Sequence, residues 1–264
     1  MRDKSLLIGT LIIALLSLAA LLAPLISPYQ PSFIDMSGLL LPPSLTHPLG
    51  TDSLGRDILS RMIYGARISL SIGLISVGLA TLLGIAIGSL AGFYGGAIDN
   101  LIMRLVDIML CFPAFFLILA IVAMFEPSIL NIMLIIGLTS WMGPARLIRA
   151  EILSLKEREF IQAERALGAS NSRIIIFHLI PNAIGPVLVN ATLGIAAAIL
   201  LESGLSFLGL GVQPPVSSWG NILIEAKSTL GLAWWITLFP GLAITVTILA
   251  FNLIADGLRK KFSW

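Results

Sequence analysis

The sequence predicts an all-α membrane protein with six transmembrane helices, both termini cytoplasmic, and a cytoplasmic helix–turn–helix loop. Three observations lead there. Of the 264 residues, 57% are hydrophobic and only 11% charged, with a mean hydropathy of +1.00. A soluble domain carries about 25% charged residues, and a soluble fold of this composition would expose too much apolar surface. Charged positions then divide the chain into long uncharged runs, against the ~20 apolar residues that a spanning helix needs. Finally, the 16 Lys/Arg residues are unevenly placed. With six spans and the N-terminus inside, twelve fall on the inner side and only Arg56, Arg61, Arg67 and Lys227 on the outer side, as the positive-inside rule requires. This pattern excludes a soluble enzyme, a disordered chain and a disulfide scaffold. The net charge of +2 gives no reason to expect nucleic acid, and the single cysteine, Cys111, permits no internal disulfide.

The spans follow in order. The first covers about residues 5–27; its apolar run exceeds the ~7–15 residues of a signal-peptide core, so a retained anchor is expected. The second covers about 68–92 and carries Gly84, Gly88 and Gly92, a tandem small-xxx-small stripe for close helix packing. The third starts near Leu101, with Asp107 and Glu126 bracketing its core and Pro113 expected to kink it. The fourth covers 127–145 and extends toward Arg149. The fifth covers 174–201 with a tail to Val212, and the sixth starts near Ala233 and contains Pro240. Residues 213–221 read Gln-Pro-Pro-Val-Ser-Ser-Trp-Gly-Asn, which is turn chemistry and predicts an external loop. Residues 28–66 form a proline-rich outer segment, with Tyr29 and Phe33, like Trp234 and Trp235, expected at the membrane interface.

The inner segment 150–182 holds the largest block of charge. Within it Phe160, Ala163 and Leu167 fall at i, i+3 and i+7 and line one helical face. Gly168 supplies a stop able to take positive φ. Ser170 is placed to cap a second short helix through Phe177, which Pro181 ends before span five. An elbow with an apolar stripe and charged flanks suits docking into a groove on a soluble partner; the alternative is a solvated loop whose charges only set topology.

No nucleotide-binding loop of the form Gly-x-x-x-x-Gly-Lys-[Ser/Thr] occurs. No metal site is expected: His47 and His178 are far apart, with no Cys/His cluster. His178 is expected as a packing residue, and Ser203 and Ser206 near Glu202 form no nucleophile–base set. Glu202 itself lies within a span, where a carboxylate costs roughly 2.5–3.5 kcal/mol on insertion scales. The favoured reading is a buried ion pair with a neighbouring helix; the other is a place in a translocation pathway, facing a cationic substrate group. Arg104 and Asp107 are expected as interfacial anchors or inter-loop partners, and Asp256 likewise. A secondary transporter or channel subunit is the alternative functional class, and a membrane enzyme a third.

The elbow resembles the cytoplasmic EAA loop of permease subunits in bacterial ABC importers. Gln162-Ala163-Glu164 stands at the Glu-Ala-Ala position, Gly168 at the glycine, and His178-Leu179-Ile180-Pro181 at the closing Ile-x-Leu-Pro. The outer run His47–Arg61, the segments Gly92–Gly96, Met103–Asp107 and Leu201–Gly211, and the stretch Phe251–Arg259 are similar to the dipeptide, oligopeptide and nickel branch. The resemblance implies a C-type permease: residues 1–67 an N-terminal helix and extracytoplasmic segment, residues 68–264 a five-helix core with the coupling loop 150–182. It implies the bacterial inner membrane. The implied partners are a second homologous permease subunit, two cytoplasmic ATPase subunits and an extracytoplasmic substrate-binding protein. No cofactor is expected on this chain; ATP and magnesium belong to the partner subunits. Gln162, Ala163, Glu164, Leu167, Gly168 and Ala169 are then the residues expected to couple ATP hydrolysis to transport of peptides or nickel chelates.

Overall fold

In a computed structural model, which describes residues 4–229 and 231–262, the described chain is built of helices. The first are α1 (Lys4–Leu21) and the short α2 (Ala23–Ile26), which Pro24 enters at a position where its missing N–H costs no bond. An irregular segment follows, and Asp57 then caps α3 (Ile58–Tyr94) by accepting from Ser60 N. Next come α4 (Gly96–Leu110), α5 (Ala114–Val122), α6 (Ile129–Thr139), α7 (Met142–Leu155) and α8 (Glu159–Ala166). A single turn, α9 (Asn171–Arg173), leads through a π-helical turn (Ile174–Leu179) into α10 (Ile180–Phe207). The short α11 (Trp219–Ala226) precedes α12 (Trp234–Phe262).

Five helical stretches are long and apolar enough to cross a membrane, with α6–α7 and α9–α10 each counted as one. The pair α4 and α5, bent by 82°, gives a sixth if it is one crossing. The break falls at Cys111-Phe112-Pro113, because proline removes a backbone donor and clashes with the preceding turn. The second span differs from the sequence expectation. α3 starts at Ile58 rather than near Ile68, so its 37 residues extend ~55 Å, well beyond the ~30 Å hydrocarbon thickness. Its extra turns carry Arg61 and Arg67, and hydropathy alone ends a span at such charges.

Pro181 does not end the elbow's second helix. α9, the π turn and α10 form one rod of 37 residues. The wide π turn just ahead of Pro181 accommodates the bond and the space that proline denies an ordinary helical turn. The glycine stripe packs within the chain. A Cβ at Gly84 would collide with Pro144, one at Gly88 with Ile148 and the Ala145 carbonyl, and one at Gly92 with the Arg149 carbonyl and Ile152. α3 and α7 thus lie side by side in the same direction. α1 runs antiparallel to α12, with Gly9 against Ala250 and Leu6 against Gly257. The chain's two described ends therefore sit together, at the end of the bundle that carries α8.

Candidate functional site

At that end α8 is held from one side only. Ile161 is fully buried in a cluster with Ile148, Ile152, Ile174 and Leu179, joining α8 to α7 and to the root of α10. Glu164 Oε2 lies 3.7 Å from His178 Nε2, and the Arg165 guanidinium stands 5.6 Å from the Phe93 ring centre on α3. The opposite face is bare. Phe160, Ala163 and Leu167 are all exposed, Leu167 to 83%. The helix ends in a Schellman motif: Gly168 N donates to Arg165 O and Ala169 N to Glu164 O, both at 3.0 Å. Gly168 has φ +81°, and open space surrounds the place of its missing Cβ. A side chain there would be opposed by backbone strain, not by a clash. Ser170 Oγ accepts from Arg173 N at 3.4 Å and caps the next turn. Of the residues singled out, Gln162, Ala163, Leu167 and Gly168 are exposed, while Glu164 and Ala169 are half-buried on the side facing the π turn.

The adjoining elements are braced by ion pairs between spans. Arg149 on α7 forks onto Asp99 of α4, with Nη2 2.5 Å from Oδ2, and Arg146 pairs with Asp107. Asp107 thus pairs across two helices, α4 and α7, rather than between loops.

Glu202 sits at the other end of α10, wholly buried. No cationic side chain pairs with it among the described residues, so the expected ion pair is corrected. Hydroxyls take its place: Ser206 Oγ and Ser218 Oγ donate to Oε1 at 2.7 and 2.8 Å. Each hydroxyl also accepts a backbone N–H, Ser206 from Val212 and Ser218 from Asn221, both at 3.1 Å. Their single protons are therefore directed at the carboxyl. The second oxygen, Oε2, is buried with no partner among the described residues.

The run read as an external loop is irregular over residues 213–218, as expected, but becomes helical at Trp219. Residues 212–218 lead back to α10, which the start of α11 approaches so closely that a Cβ at Gly220 would lie 2.6 Å from Ser203 Cα. Ser218 and Asn221 then close a capping box that starts α11. Trp219 is buried, its N donating to Ser69 Oγ at 3.2 Å and its Nε1 to Met62 O at 3.1 Å, both on α3. Trp235, expected at the membrane interface, is also buried; its Nε1 donates to Thr51 O at 3.0 Å, while its neighbour Trp234 is exposed.

Sequence reading missed a cluster beside α11. Arg56 Nε meets Asp52 Oδ2 and Arg56 Nη2 meets Glu225 Oε1, both at 2.7 Å. Arg61 Nη1 lies 2.5 Å from Asp52 Oδ2, and its Nη1 and Nη2 fork onto Glu225 at 2.7 and 2.8 Å. Forked guanidinium–carboxylate pairs are among the strongest hydrogen-bonded contacts. One signal was available: Arg56 and Arg61 are two of only four basic residues that the sequence leads one to expect on the outer side, and both prove to be buried and paired.

Known proteins match this arrangement. Residues 84–263 match the family described as "Binding-protein-dependent transport system inner membrane component". Residues 1–43 match the "N-terminal TM domain of oligopeptide transport permease C". The dipeptide transport system permease protein DppC of Alkalihalophilus pseudofirmus is 43% identical over 98% of this chain and 85% of its own length. The di/tripeptide transport system permease protein DppC of Pseudomonas aeruginosa is 44% identical over 98% and 87%. Among solved structures, the MetNI methionine ABC transporter in inward-facing conformations aligns with a TM-score of 0.60 at 16% identity, covering 76% of this chain and 96% of that one. An amino acid ABC transporter aligns at 0.56 and 16%, covering 77% and 93%. The fold is that of ABC transporter permeases, and the chain, a multi-pass inner-membrane protein, belongs to the family of binding-protein-dependent transport system inner membrane components.

Proposed function

We propose that this chain is a transmembrane subunit of an ABC importer for peptides, coupled through its α8 elbow to ATPase subunits that hydrolyse ATP with magnesium. The chain belongs to a binding-protein-dependent transport family, which supports an extracytoplasmic binding protein and ATPases as partners. A second, homologous permease completes the path, of which this chain forms half. Peptides as cargo rest on the relatives, which are named as dipeptide and di/tripeptide transport permeases. Both termini and the elbow face the cytoplasm in this reading, in keeping with the placement of the basic residues.

One observation carries the coupling role. α8 presents Phe160, Ala163 and Leu167 outward, yet its other face is locked by Ile161 to α7 and α10. A force on the exposed stripe thus reaches two spans directly. ATP closes the ATPases around the elbow, α7 and α10 tilt as packed bodies, and the path alternates between its two faces. Gln162, Glu164 and Ala169 shape the turn around Gly168.

Gly168→Val is the test. Its φ of +81° opposes a β-branched residue, a strain of about 1–3 kcal/mol confined to the turn. The variant should insert and pair normally but lose ATPase stimulation by substrate and binding protein. Normal stimulation would sink the coupling role. Uptake of labelled dipeptide by the assembled transporter, with nickel uptake as the contrast, tests the cargo.

A further inference from the structure

The coupling reading makes no use of the segment 212–226, whose two ends are attached in different ways. Its start is anchored deep in the protein. Ser218 bonds to Glu202, Val212 N to Ser206, and Trp219 N to Ser69, all buried. Its far end carries Glu225, which forms the ion pairs from α11 to Arg56 and Arg61. Glu225 is also the member of that cluster nearest to water, its side chain 16% exposed against 0% for Asp52 and 2% for Arg61. Removing its charge leaves Arg56 and Arg61 bonded to Asp52. The outer segment and α3 therefore stay joined, and only the far end of α11 is released, its start still bonded to α3 through Trp219. α11 is also held by apolar burial of Trp219, Ile222 and Ala226, so the ion pairs of Glu225 act alongside that contact.

A continuous mechanical line reaches this link. The elbow's π turn runs without a break into α10, α10 ends at the Glu202 anchor, and Ser218 on that anchor starts α11. Any tilt of α10 against α3 loads the Glu225 contacts, because they cross from α11 to α3. We propose that residues 212–226 form a flap over the outer end of the bundle, hinged on Glu202–Ser218 and latched by Glu225 on Arg56 and Arg61, and that opening of the transporter toward the outside releases this latch. "Outside" here rests on the orientation given under Proposed function.

The test uses the complete transporter in lipid nanodiscs and right-side-out vesicles. Hydrogen exchange of residues 217–226 is measured at rest and after trapping with ATP and vanadate. Exchange should quicken in the trapped state, and Glu225→Gln should show about tenfold faster exchange at rest. In a Cys111→Ser background, Ala226→Cys should resist a membrane-impermeant maleimide at rest and react after trapping or when combined with Glu225→Gln. Exchange that ignores both trapping and Glu225→Gln overturns the latch, whatever the orientation. Leu45→Cys, a fully exposed position in the outer segment, separates the two readings. Its failure to react from outside in every state overturns the orientation, and the exchange data still decide the latch.

Discussion

Glu202 shows how one residue can be expensive and yet held without a counter-charge. A buried carboxyl needs hydrogen bonds at least, and here serines from α10 and from the return segment supply them. Two variants separate holding the fold from touching cargo. Glu202→Leu leaves the Ser206 and Ser218 protons without their acceptor, at about 1–3 kcal/mol for each stranded group. Thermal unfolding of the purified protein should fall by several degrees. Glu202→Gln keeps a carbonyl oxygen for both serines and should unfold close to the parent temperature. If the carboxylate met a cationic group of the cargo, peptide uptake by the Gln variant would drop despite normal stability. An unchanged uptake rate assigns Glu202 to the fold.

At the scale of elements, close approach and one-sided support decide the behaviour. Gly88 lies where α3 and α7 touch, and Gly88→Leu must drive a side chain into Ile148 and the Ala145 carbonyl. Overpacking of this kind costs about 1–3 kcal/mol, so the variant should lose thermal stability in detergent. Gly78→Ala is the matched control: it lies on the same helix with nothing within 4 Å of the added Cβ, and it should be neutral or slightly stabilising. α8 depends on Ile161 in the same way that α3 depends on its stripe. Ile161→Ala opens a cavity worth about 2–5 kcal/mol. Hydrogen exchange across residues 159–169 should quicken while the spans stay protected, and coupling should weaken with the elbow's attachment.

For the whole molecule, the six-crossing reading puts α8 and both described chain ends at one end of the bundle and the Asp52–Arg56–Arg61–Glu225 cluster at the other. Leu167→Cys and Leu45→Cys, each in the Cys111→Ser background, should therefore react with impermeant maleimide from opposite sides of the membrane. Labelling of both from one side would contradict the parallel packing of α3 against α7 and overturn the six-crossing reading. The longest contacts belong to this scale as well. The Arg61–Glu225 pair joins residues 164 apart in sequence, and Arg56–Glu225 residues 169 apart. These pairs fasten the proline-rich segment, α3 and α11 together, so high salt should loosen Glu225, the member nearest to water, before the buried Asp52 contacts.

Hydropathy made the spans legible, because crossing a bilayer is a local demand on about 20 consecutive residues. The elbow was legible for a similar reason: the period of Phe160, Ala163 and Leu167 and the placing of Gly168 and Ser170 are settled within a few residues. The glycine stripe announced a close contact but not its partner, which packing shows to be α7 of the same chain. Three features were decided only in three dimensions. α3 begins ten residues before its apolar run, because Arg61 is neutralised by Asp52 and Glu225 rather than by water. α9 continues through Pro181, because a π turn absorbs what the proline denies. The stretch read as an external loop folds back and starts α11, because Glu202 gathers the serine hydroxyls on either side of it. In each case the sequence shows a costly group, and only the tertiary structure supplies the distant partner that satisfies it.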